Sequence, residues 1–218
     1  MMTVLKQVIR KCAVCGRYSE QTIVQSPRIF GSRDLDTRPP ESIRSTMEFW
    51  AQECPYCGYV ADDLAEATTV DEGWLHSDEF AARADVAFLA PLASRFYRFH
   101  LINLADNNPG DAYLAALHAA WVCDDCGDRE YADFCRQRVL EVLPWYHEMF
   151  PADETVLVIE ADVLRRTRQF DSLLAKFADV RSCRPLLNIL LDFQLEKARA
   201  RDTRCYTVAD ALRFRKMN

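Results

Sequence analysis

Apolar and polar residues follow one pattern up to about residue 60 and another beyond it. In the N-terminal part, residues 3–10 and 45–53 and the β-branched run at 22–24 predict short β-strands. Beyond that part, apolar residues recur every three to four positions, which predicts amphipathic helices. The pattern therefore predicts an α+β chain that is mostly α, with a small β unit at residues 1–60 and a helical domain at residues 61–218.

Capping residues and prolines indicate where the helices begin and end. A helix is predicted to begin near Asp62 or Asp63, and another after Ser77, whose hydroxyl can accept a hydrogen bond from the first turn. Pro91 fits the first turn of a helix that runs to about residue 105, because that position needs no N–H donor. The sequence Asn-Asn-Pro-Gly at 107–110 predicts the loop that follows.

After this loop the pattern predicts successive helix pairs. Asp111 can cap a helix whose apolar stripe includes His118 and Trp121, and Gly127 can close it with a positive φ. The partner helix is predicted to end or bend at Pro144. Repeated antiparallel pairs of about thirty residues are typical of a TPR-like stack, in which each pair completes the core of its neighbour.

The helix predicted at residues 185–201 is apolar on most of its circumference and therefore needs to be buried. Two partners satisfy this requirement. The helix could cap the open end of the helix stack, or it could bury its surplus face against a second copy of the chain and form a homodimer. Residues 207–214 predict a short terminal helix.

Composition and charge change this picture in two respects. Nine cysteines in 218 residues, with neither a cleavable signal sequence nor a membrane-spanning apolar stretch, predict a reducing cytoplasm in which thiolates bind metals. The net charge of −6 is unevenly distributed, since residues 61–180 carry ten Lys/Arg against 23 Asp/Glu. This acidic stretch favours a basic protein or peptide partner over nucleic acid.

Two Cys-x-x-Cys-Gly motifs carry the clearest chemistry in the chain. Each motif can curl so that backbone N–H groups point at the two thiolate sulfurs, and the glycine accepts the positive φ that the curl needs. Four thiolates complete a tetrahedron and leave no position for water or substrate, which predicts a metal that stabilises the fold. The predicted ligands are Cys12, Cys15, Cys54 and Cys57.

Zinc is the metal predicted for this site. Iron is the alternative, because the two motifs are also similar to the knuckles of rubredoxin, a small one-electron carrier with the same four ligands. In this chain 38 residues separate Cys15 from Cys54, and a large helical segment follows. A rubredoxin has a shorter insert and stands alone, which favours zinc.

The segment between the two motifs predicts a loop, because it combines Asp and Gly with paired prolines. Its charged residues form a candidate recognition loop. They are Arg33, Asp34, Asp36 and Arg38. In the alternative interpretation, these charges pair with one another and the aspartates stabilise turns, so that the loop has only a structural role.

A third cysteine pair, Cys123 and Cys126, could form a second metal site with Cys135 as a further ligand. The pair lies at the predicted end of a helix, and only His118 or His147 could complete the ligand set. This position favours the alternative, in which the cysteines are small apolar residues at a helix corner.

The motifs of common enzyme classes are missing from the sequence. It contains no Gly-rich phosphate loop, no His-Glu-x-x-His motif and no nucleophile elbow. The four histidines are scattered, and His118, one turn from Trp121, is interpreted as a core residue. We therefore predict that the chain is not an enzyme.

Several runs of the sequence together match the pattern of a known family. They are Cys12-Ala-Val-Cys-Gly16, Arg33-Asp-Leu-Asp-Thr-Arg-Pro-Pro40 and Glu53-Cys-Pro-Tyr-Cys-Gly-Tyr-Val-Ala61, followed by Ala120-Trp121 and Leu164-Arg-Arg166. Over most of its length the chain thus resembles a bacterial family catalogued as domain of unknown function 2225. The resemblance implies a two-knuckle metal domain with the same four cysteine ligands and a TPR-like helical region, and it implies no established activity.

The sequence as a whole predicts a structural-zinc protein whose TPR-like domain is an interaction scaffold for a protein or peptide. Two alternatives remain at this point. One is rubredoxin-like electron transfer with iron, and the other is nucleic-acid binding through the zinc ribbon. The residues considered for nucleic acid are Arg28, Phe30, Arg33, Arg38, Arg44, Phe49 and Trp50.

Overall fold

The computed structural model describes residues 4–26 and 30–217. A small β part precedes a helical part, so the predicted α+β, mostly α class is confirmed. The strands are β1 (Val4–Lys11), β2 (Tyr18–Ser26), β3 (Gln52–Glu53) and β4 (Val60–Ala61). The helices are α1 (Glu41–Arg44), α2 (Glu72–Leu75), α3 (Asp78–Ala84), α4 (Pro91–Ala105), α5 (Pro109–Asp125), α6 (Arg129–Met149), α7 (Thr155–Arg166), α8 (Phe170–Phe177), α9 (Pro185–Arg199) and α10 (Val208–Met217).

Packing divides the chain into two compact units. Among the described residues, the first unit contains 4–26 and 42–135, and the second contains 30–41 and 136–217. Part of the segment between the two cysteine motifs therefore packs with the C-terminal helices. The predicted boundary after residue 60 follows the change of element type, and it stays a prediction about independent folding.

Two β-hairpins form the β part of the first unit. β1 and β2 pair antiparallel, with Lys11 opposite Tyr18 next to the turn. β3 and β4 form a shorter antiparallel pair, in which Glu53 lies opposite Val60. Each hairpin has one Cys-x-x-Cys-Gly motif as its turn, which is a zinc-ribbon-like arrangement.

The prediction of a strand at residues 45–53 is wrong for most of that segment. Only β3 remains of it, and residues 47–49 form a 3-10 turn. The side chain of Thr46 explains the difference, because its hydroxyl donates to Ile43 O at 2.7 Å and accepts from Trp50 Nε1 at 2.9 Å. Such local hydrogen bonds compete with a β-ladder.

The helix predicted near Asp62 is also wrong, because this region forms a turn. Asp63 Oδ1 accepts the N–H of Ala65 at 3.0 Å, an Asx-type bond that favours a turn. The first helix after the second motif is instead α2, which Asp71 caps. α3 follows with Ser77 as its cap, as predicted.

α4 and α5 pack against each other and form the main helical layer of the first unit. α4 begins at Pro91, as predicted. α5 begins at Pro109, earlier than predicted, because Asn108 and not Asp111 is its cap: Asn108 Oδ1 accepts the N–H of Asp111 at 3.2 Å. Proline suits this first position, so the predicted loop at 107–110 is shorter than expected.

α6 continues past Pro144 to Met149 and does not end there. Val142 and Leu143, just before the proline, are 4% and 1% exposed. The packing of these side chains stabilises α6 and outweighs the loss of the backbone hydrogen bond that Pro144 cannot make. The helix therefore continues. The predicted closure of α5 by Gly127, with a φ of 78°, is observed.

The core of the second unit lies among α7, α8 and α9. Residues 30–41, called the early segment below, contribute Leu35 to the same cluster, where it is 2% exposed. An isolated antiparallel bridge joins Asp34 to Thr207, and Leu35 N donates to Tyr206 O at 2.9 Å. Among the buried apolar residues of these helices are Val158, Leu164, Phe170, Leu173, Phe177, Leu187, Leu190 and Phe193.

A fully buried arginine links three parts of the second unit. Arg165 of α7 is 0% exposed, and its Nη2 donates to Asp162 Oδ1 at 2.6 Å. Nε donates to Gln194 Oε1 of α9 at 2.5 Å, and Nη1 donates to the carbonyls of Asp202 and Arg204 at 2.8 Å. The buried charge is thus compensated by a carboxylate and by hydrogen bonds, as burial of a cation requires.

α9 contributes a large share of the apolar surface that is buried in this core. Leu191 is 1% exposed and Phe193 is 3% exposed, whereas Leu186 at the start of the helix is 45% exposed. Most of the apolar surface that motivated a homodimer is therefore covered within the chain, and self-association through residues 185–201 stays a prediction. Among the described residues, no helix has both the length and the apolar character needed to cross a bilayer.

Candidate metal centre

The two cysteine motifs adopt the same backbone geometry. Gly16 N donates to Cys12 O at 2.9 Å, and Gly58 N donates to Cys54 O at 3.0 Å. The first residue of each motif also donates its N–H to the carbonyl five positions later, at 2.9 and 2.8 Å. Gly16 and Gly58 have φ values of 71° and 74°, a region that residues with a Cβ enter only at a cost. The predicted role of both glycines is therefore observed.

The four predicted ligands form one cluster. Their Sγ atoms all lie within 4.8 Å of one another. Cys12 Sγ and Cys57 Sγ are 3.7 Å apart, and Cys15 Sγ and Cys54 Sγ are 3.6 Å apart. Neighbouring sulfurs around a tetrahedral zinc ion with Zn–S bonds of about 2.3 Å lie about 3.8 Å apart. The spacing fits a four-coordinate metal ion, so the cluster could hold one.

Burial affects the thiols unequally in the absence of a metal. It raises the pKa of both Cys12 and Cys57. At Cys15 burial is outweighed by hydrogen bonds from the Arg17 backbone and the neighbouring thiols, and the pKa is lowered. A metal bound by four thiolates therefore has to displace protons, so its affinity falls as the pH falls.

Charged and polar contacts connect the two motifs to their surroundings. The guanidinium of Arg17 lies 5.2 Å from the ring centroid of Tyr56, which joins the first motif to the second by a cation–π contact. Ala13 N donates to Leu64 O at 2.8 Å, and Arg10 Nε lies 2.8 Å from Asp63 Oδ1.

Glu53 attaches the second motif to α4. Its carboxylate accepts hydrogen bonds from Arg98 Nη2 at 2.8 Å and from Arg95 Nε at 3.2 Å. Gly58 O also accepts a hydrogen bond from Arg98, at 3.4 Å. Sequence reasoning missed this contact, although the spacing of Arg95 and Arg98 places both on one face of a helix.

No protein-family model, curated protein or solved structure matches this chain. The resemblance to the domain of unknown function 2225 family therefore stays a prediction. What is known of the centre comes from its own geometry, and the donor set of four sulfurs suits zinc or iron.

The candidate recognition loop lies in the second unit, with its aspartates inside. Asp34 and Asp36 are 6% and 1% exposed, and Arg38 is 5% exposed. Asp36 accepts the N–H of Arg38 at 3.2 Å and lies 3.5 Å from Arg166 Nη1. Arg33 alone of the four predicted residues is exposed. These contacts favour the structural interpretation for three of the four residues.

Two of the residues considered for nucleic-acid binding, Arg38 and Trp50, make contacts within the chain or are buried. Trp50 donates to Thr46, and its ring packs edge to face against His118 with a centroid distance of 5.2 Å. Arg38 is buried, and Arg28 lies outside the described residues. Arg33 is exposed and Phe30 is 63% exposed, so the nucleic-acid alternative stays a prediction.

The cysteines of the third pair differ in burial. Cys123 and Cys135 are 1% and 0% exposed, whereas Cys126 is exposed, and its Sγ donates to Cys123 O at 3.4 Å. Among the described residues, the group of Cys12, Cys15, Cys54 and Cys57 is the only one with metal-binding spacing. This favours the interpretation of Cys123 as a small apolar residue at a helix corner, a role that the exposed Cys126 does not share.

His118 lies among aromatic rings in the first unit. Its ring centroid is 4.8 Å from that of Trp121 and 5.1 Å from that of Phe96. Burial lowers the pKa of His118 to about 3, so the ring is neutral at physiological pH. The His118 side chain is partly buried and packs against aromatic rings, which favours its interpretation as a residue of the core margin.

Proposed function

We propose that the four-cysteine cluster is a structural zinc centre and that the helical part of the chain is a TPR-like scaffold for a protein or peptide partner, without catalysis of its own. The observation that carries the zinc proposal is the closed set of four sulfurs. With four protein ligands, a metal has no open position for water or substrate, which is the property of structural zinc sites.

Metal content tests the zinc proposal directly. The purified protein is expected to contain one zinc ion per chain, and Cys57→Ser is expected to abolish stoichiometric zinc. Cys126→Ser is the matched control, because it removes an exposed cysteine of the same unit and is expected to keep one zinc. Elemental analysis that finds no metal, together with folding that chelators leave unchanged, would contradict the proposal.

Iron is distinguished from zinc by colour. Ferric iron bound to four thiolates is red, whereas zinc is colourless. Protein expressed in medium that contains both metals is expected to be colourless. A red, iron-containing product with reversible one-electron reduction would support the electron-transfer alternative.

The scaffold proposal is supported by charge and by the helical architecture. Residues 61–180 carry 23 acidic against ten basic residues, and a surface of one sign attracts partners of the other. Helix pairs of this kind bind extended peptides or helices in grooves. The partner is therefore proposed to be a basic protein or peptide.

Charge reversal tests the scaffold proposal. A pull-down with the metal-loaded protein is expected to recover a specific basic protein, and Asp124→Lys with Asp125→Lys is expected to slow its association more than its dissociation. Glu20→Lys with Glu48→Lys is the control for net charge, because it reverses two exposed carboxylates outside residues 61–180. Recovery of nucleic acid with salt-sensitive affinity would favour the nucleic-acid alternative, and turnover of a small metabolite would contradict the absence of catalysis.

A further inference from the structure

The second unit contains a cavity of about 300 Å³. The early segment forms one wall, and the start of α7, the start of α9 and Val208 form the others. The lining residues are Arg33, Asp34, Leu35, Thr37, Thr155, Val158, Arg184, Leu186, Leu187, Leu190 and Val208. The volume lies at the lower end of the range for small-molecule pockets.

The floor of this cavity is aliphatic. Leu35, Val158, Leu187 and Leu190 belong to the core of the unit and are each less than a tenth exposed. Leu186 lies at the rim and is 45% exposed. Such a floor favours a hydrocarbon group, because transfer of apolar surface out of water is favourable.

Two exposed arginines line the same cavity. Arg33 donates from Nη1 to Thr37 O at 3.3 Å, and within residues 4–26 and 30–217 its other guanidinium donors have no hydrogen-bond partner, so they can bind a ligand. Arg184 is exposed, and its backbone N–H donates to Ser182 Oγ at 2.9 Å. Guanidinium groups at the rim of an aliphatic floor fit a carboxylate, which they can bind through two parallel hydrogen bonds.

Two nearby acidic residues, Asp153 and Glu154, attract Arg184 and offset part of its charge, whereas neither has this effect on Arg33. Asp34, the only carboxylate among the described lining residues, is 6% exposed and belongs to the buried side of its loop. Asp153 accepts from Tyr146 Oη at 2.8 Å and Glu154 from Ser182 Oγ at 2.6 Å, and neither of these two acids lines the cavity.

The backbone around the cavity favours a simple carboxylate over the end of a peptide. Peptide binding in an extended groove relies on main-chain hydrogen bonds. On this wall Leu35 N donates to Tyr206 O, Thr37 N to Asp34 O and Val208 N to Arg33 O, at 2.9 to 3.0 Å. These donors are already used within the unit, so a peptide backbone would find little to pair with there.

We propose that this cavity binds a medium-chain aliphatic monocarboxylate, with the alkyl chain on the leucine floor and the carboxylate held by Arg33 and Arg184. Its volume places the ligand among small molecules, and octanoate serves as the probe for this class. The inference is independent of the zinc centre and of the scaffold proposal.

Calorimetric titration of the metal-loaded full chain with octanoate tests the proposal. One saturable site is expected, with a Kd of about 1 mM or lower. Octanol is expected to bind roughly tenfold more weakly, and octylammonium not measurably, because neither can accept hydrogen bonds from two guanidinium groups as a carboxylate does.

Three substitutions locate the site. Arg33→Gln and Arg184→Gln are each expected to weaken octanoate binding roughly tenfold, and the double variant is expected to lose the preference for octanoate over octanol. Leu186→Asp places a carboxylate on the exposed rim and is expected to abolish binding without affecting the core. Arg181→Gln is the matched control, because Arg181 is exposed on the same segment and does not line the cavity.

The proposal is overturned if the double arginine variant binds octanoate as wild type does, or if octanol binds as tightly as octanoate. Binding without saturation, or at more than one site per chain, would also overturn it, because that behaviour indicates adsorption to surface apolar groups. A peptide that ends in a free leucine carboxylate and binds more than tenfold tighter than octanoate would assign the cavity to a protein C-terminus instead.

Discussion

Arg165 is fully buried, and its guanidinium is held by a carboxylate, an amide and two carbonyls. Arg165→Ala removes the cation and leaves Asp162 as a buried, uncompensated charge. We expect the variant to lose about 3–5 kcal/mol of unfolding free energy, as removal of one partner from a buried pair does. Urea denaturation measures this change.

Arg199→Ala is the control for the Arg165 prediction. Arg199 lies at the exposed end of α9, so its truncation is expected to change the free energy of unfolding by less than about 0.5 kcal/mol. If the two substitutions changed the free energy of unfolding equally, the buried interactions of Arg165 would contribute no more to stability than those of the exposed Arg199.

The lowered pKa of His118 leads us to expect that the stability of the fold depends on pH. Its pKa is about 3 in the folded chain because of burial, against about 6.5 when unfolded. Between these values the unfolded state binds the proton and the folded state does not, so stability falls as the pH falls below about 6.5. At pH 5 the loss relative to pH 7 is expected to be about 2 kcal/mol.

Comparison with His118→Phe isolates this contribution. The variant keeps an aromatic ring among Trp50, Phe96 and Trp121 but cannot bind a proton. Its free energy of unfolding, measured by denaturation at pH 7 and pH 5, is expected to fall by about 2 kcal/mol less than that of the wild type. Parallel losses in both proteins would show that His118 does not titrate on unfolding in this range.

At the residue scale, chemistry that depends on neighbours in sequence could be predicted, and chemistry that depends on distant neighbours could not. The ligands and glycines of the metal centre follow from two five-residue motifs. The pairing of Glu53 with Arg95 and Arg98, and the burial of Asp36, depend on partners more than forty residues away, which no local pattern indicates.

At the scale of elements, the apolar stripe of α5 is the feature most open to test. Trp121 on this stripe is 2% exposed. Trp121→Ala is expected to lower the free energy of unfolding by about 3–5 kcal/mol, because truncation of a buried aromatic residue leaves a cavity. Thermal and urea denaturation followed by circular dichroism measure the change.

Leu89→Ala is the matched control in the same unit. Leu89 is 71% exposed, so its truncation is expected to have an effect below about 0.5 kcal/mol. A melting temperature that Trp121→Ala leaves unchanged would contradict the observed burial of this side chain.

Element boundaries were predicted where one residue determines them and missed where side chains compete. Ser77 and Pro91 begin helices because a hydroxyl cap and a fixed φ act locally. The strand expected at 45–53 failed because the hydroxyl of Thr46 bonds within its own turn. The β propensity of such a segment gives no information about that competition.

At the scale of the whole molecule, removal of the metal is expected to act unequally on the two units. The β-hairpins and α4 are joined to the metal centre through the motifs and Glu53, whereas the second unit has a separate apolar core. With a chelator, hydrogen exchange is therefore expected to accelerate in β1 to β4 and at the start of α4, while α7 and α9 stay protected.

Two other outcomes of the hydrogen-exchange experiment have clear meanings. Protection that a chelator leaves unchanged everywhere would mean that the metal does not stabilise the fold. Simultaneous loss of protection in both units would mean that they unfold as one cooperative body.

The placement of residues 30–41 in the second unit affects the order in which the two units can fold during synthesis. Ala209 N donates to Ser32 Oγ across a sequence separation of 177 residues. On the ribosome, both cysteine motifs emerge long before α9 and α10, so a metal can bind while the second unit is still incomplete. Residues 30–41 then remain a loop tethered between Cys15 and Cys54 until α9 and α10 have left the ribosome, and the second unit can complete its core only after that.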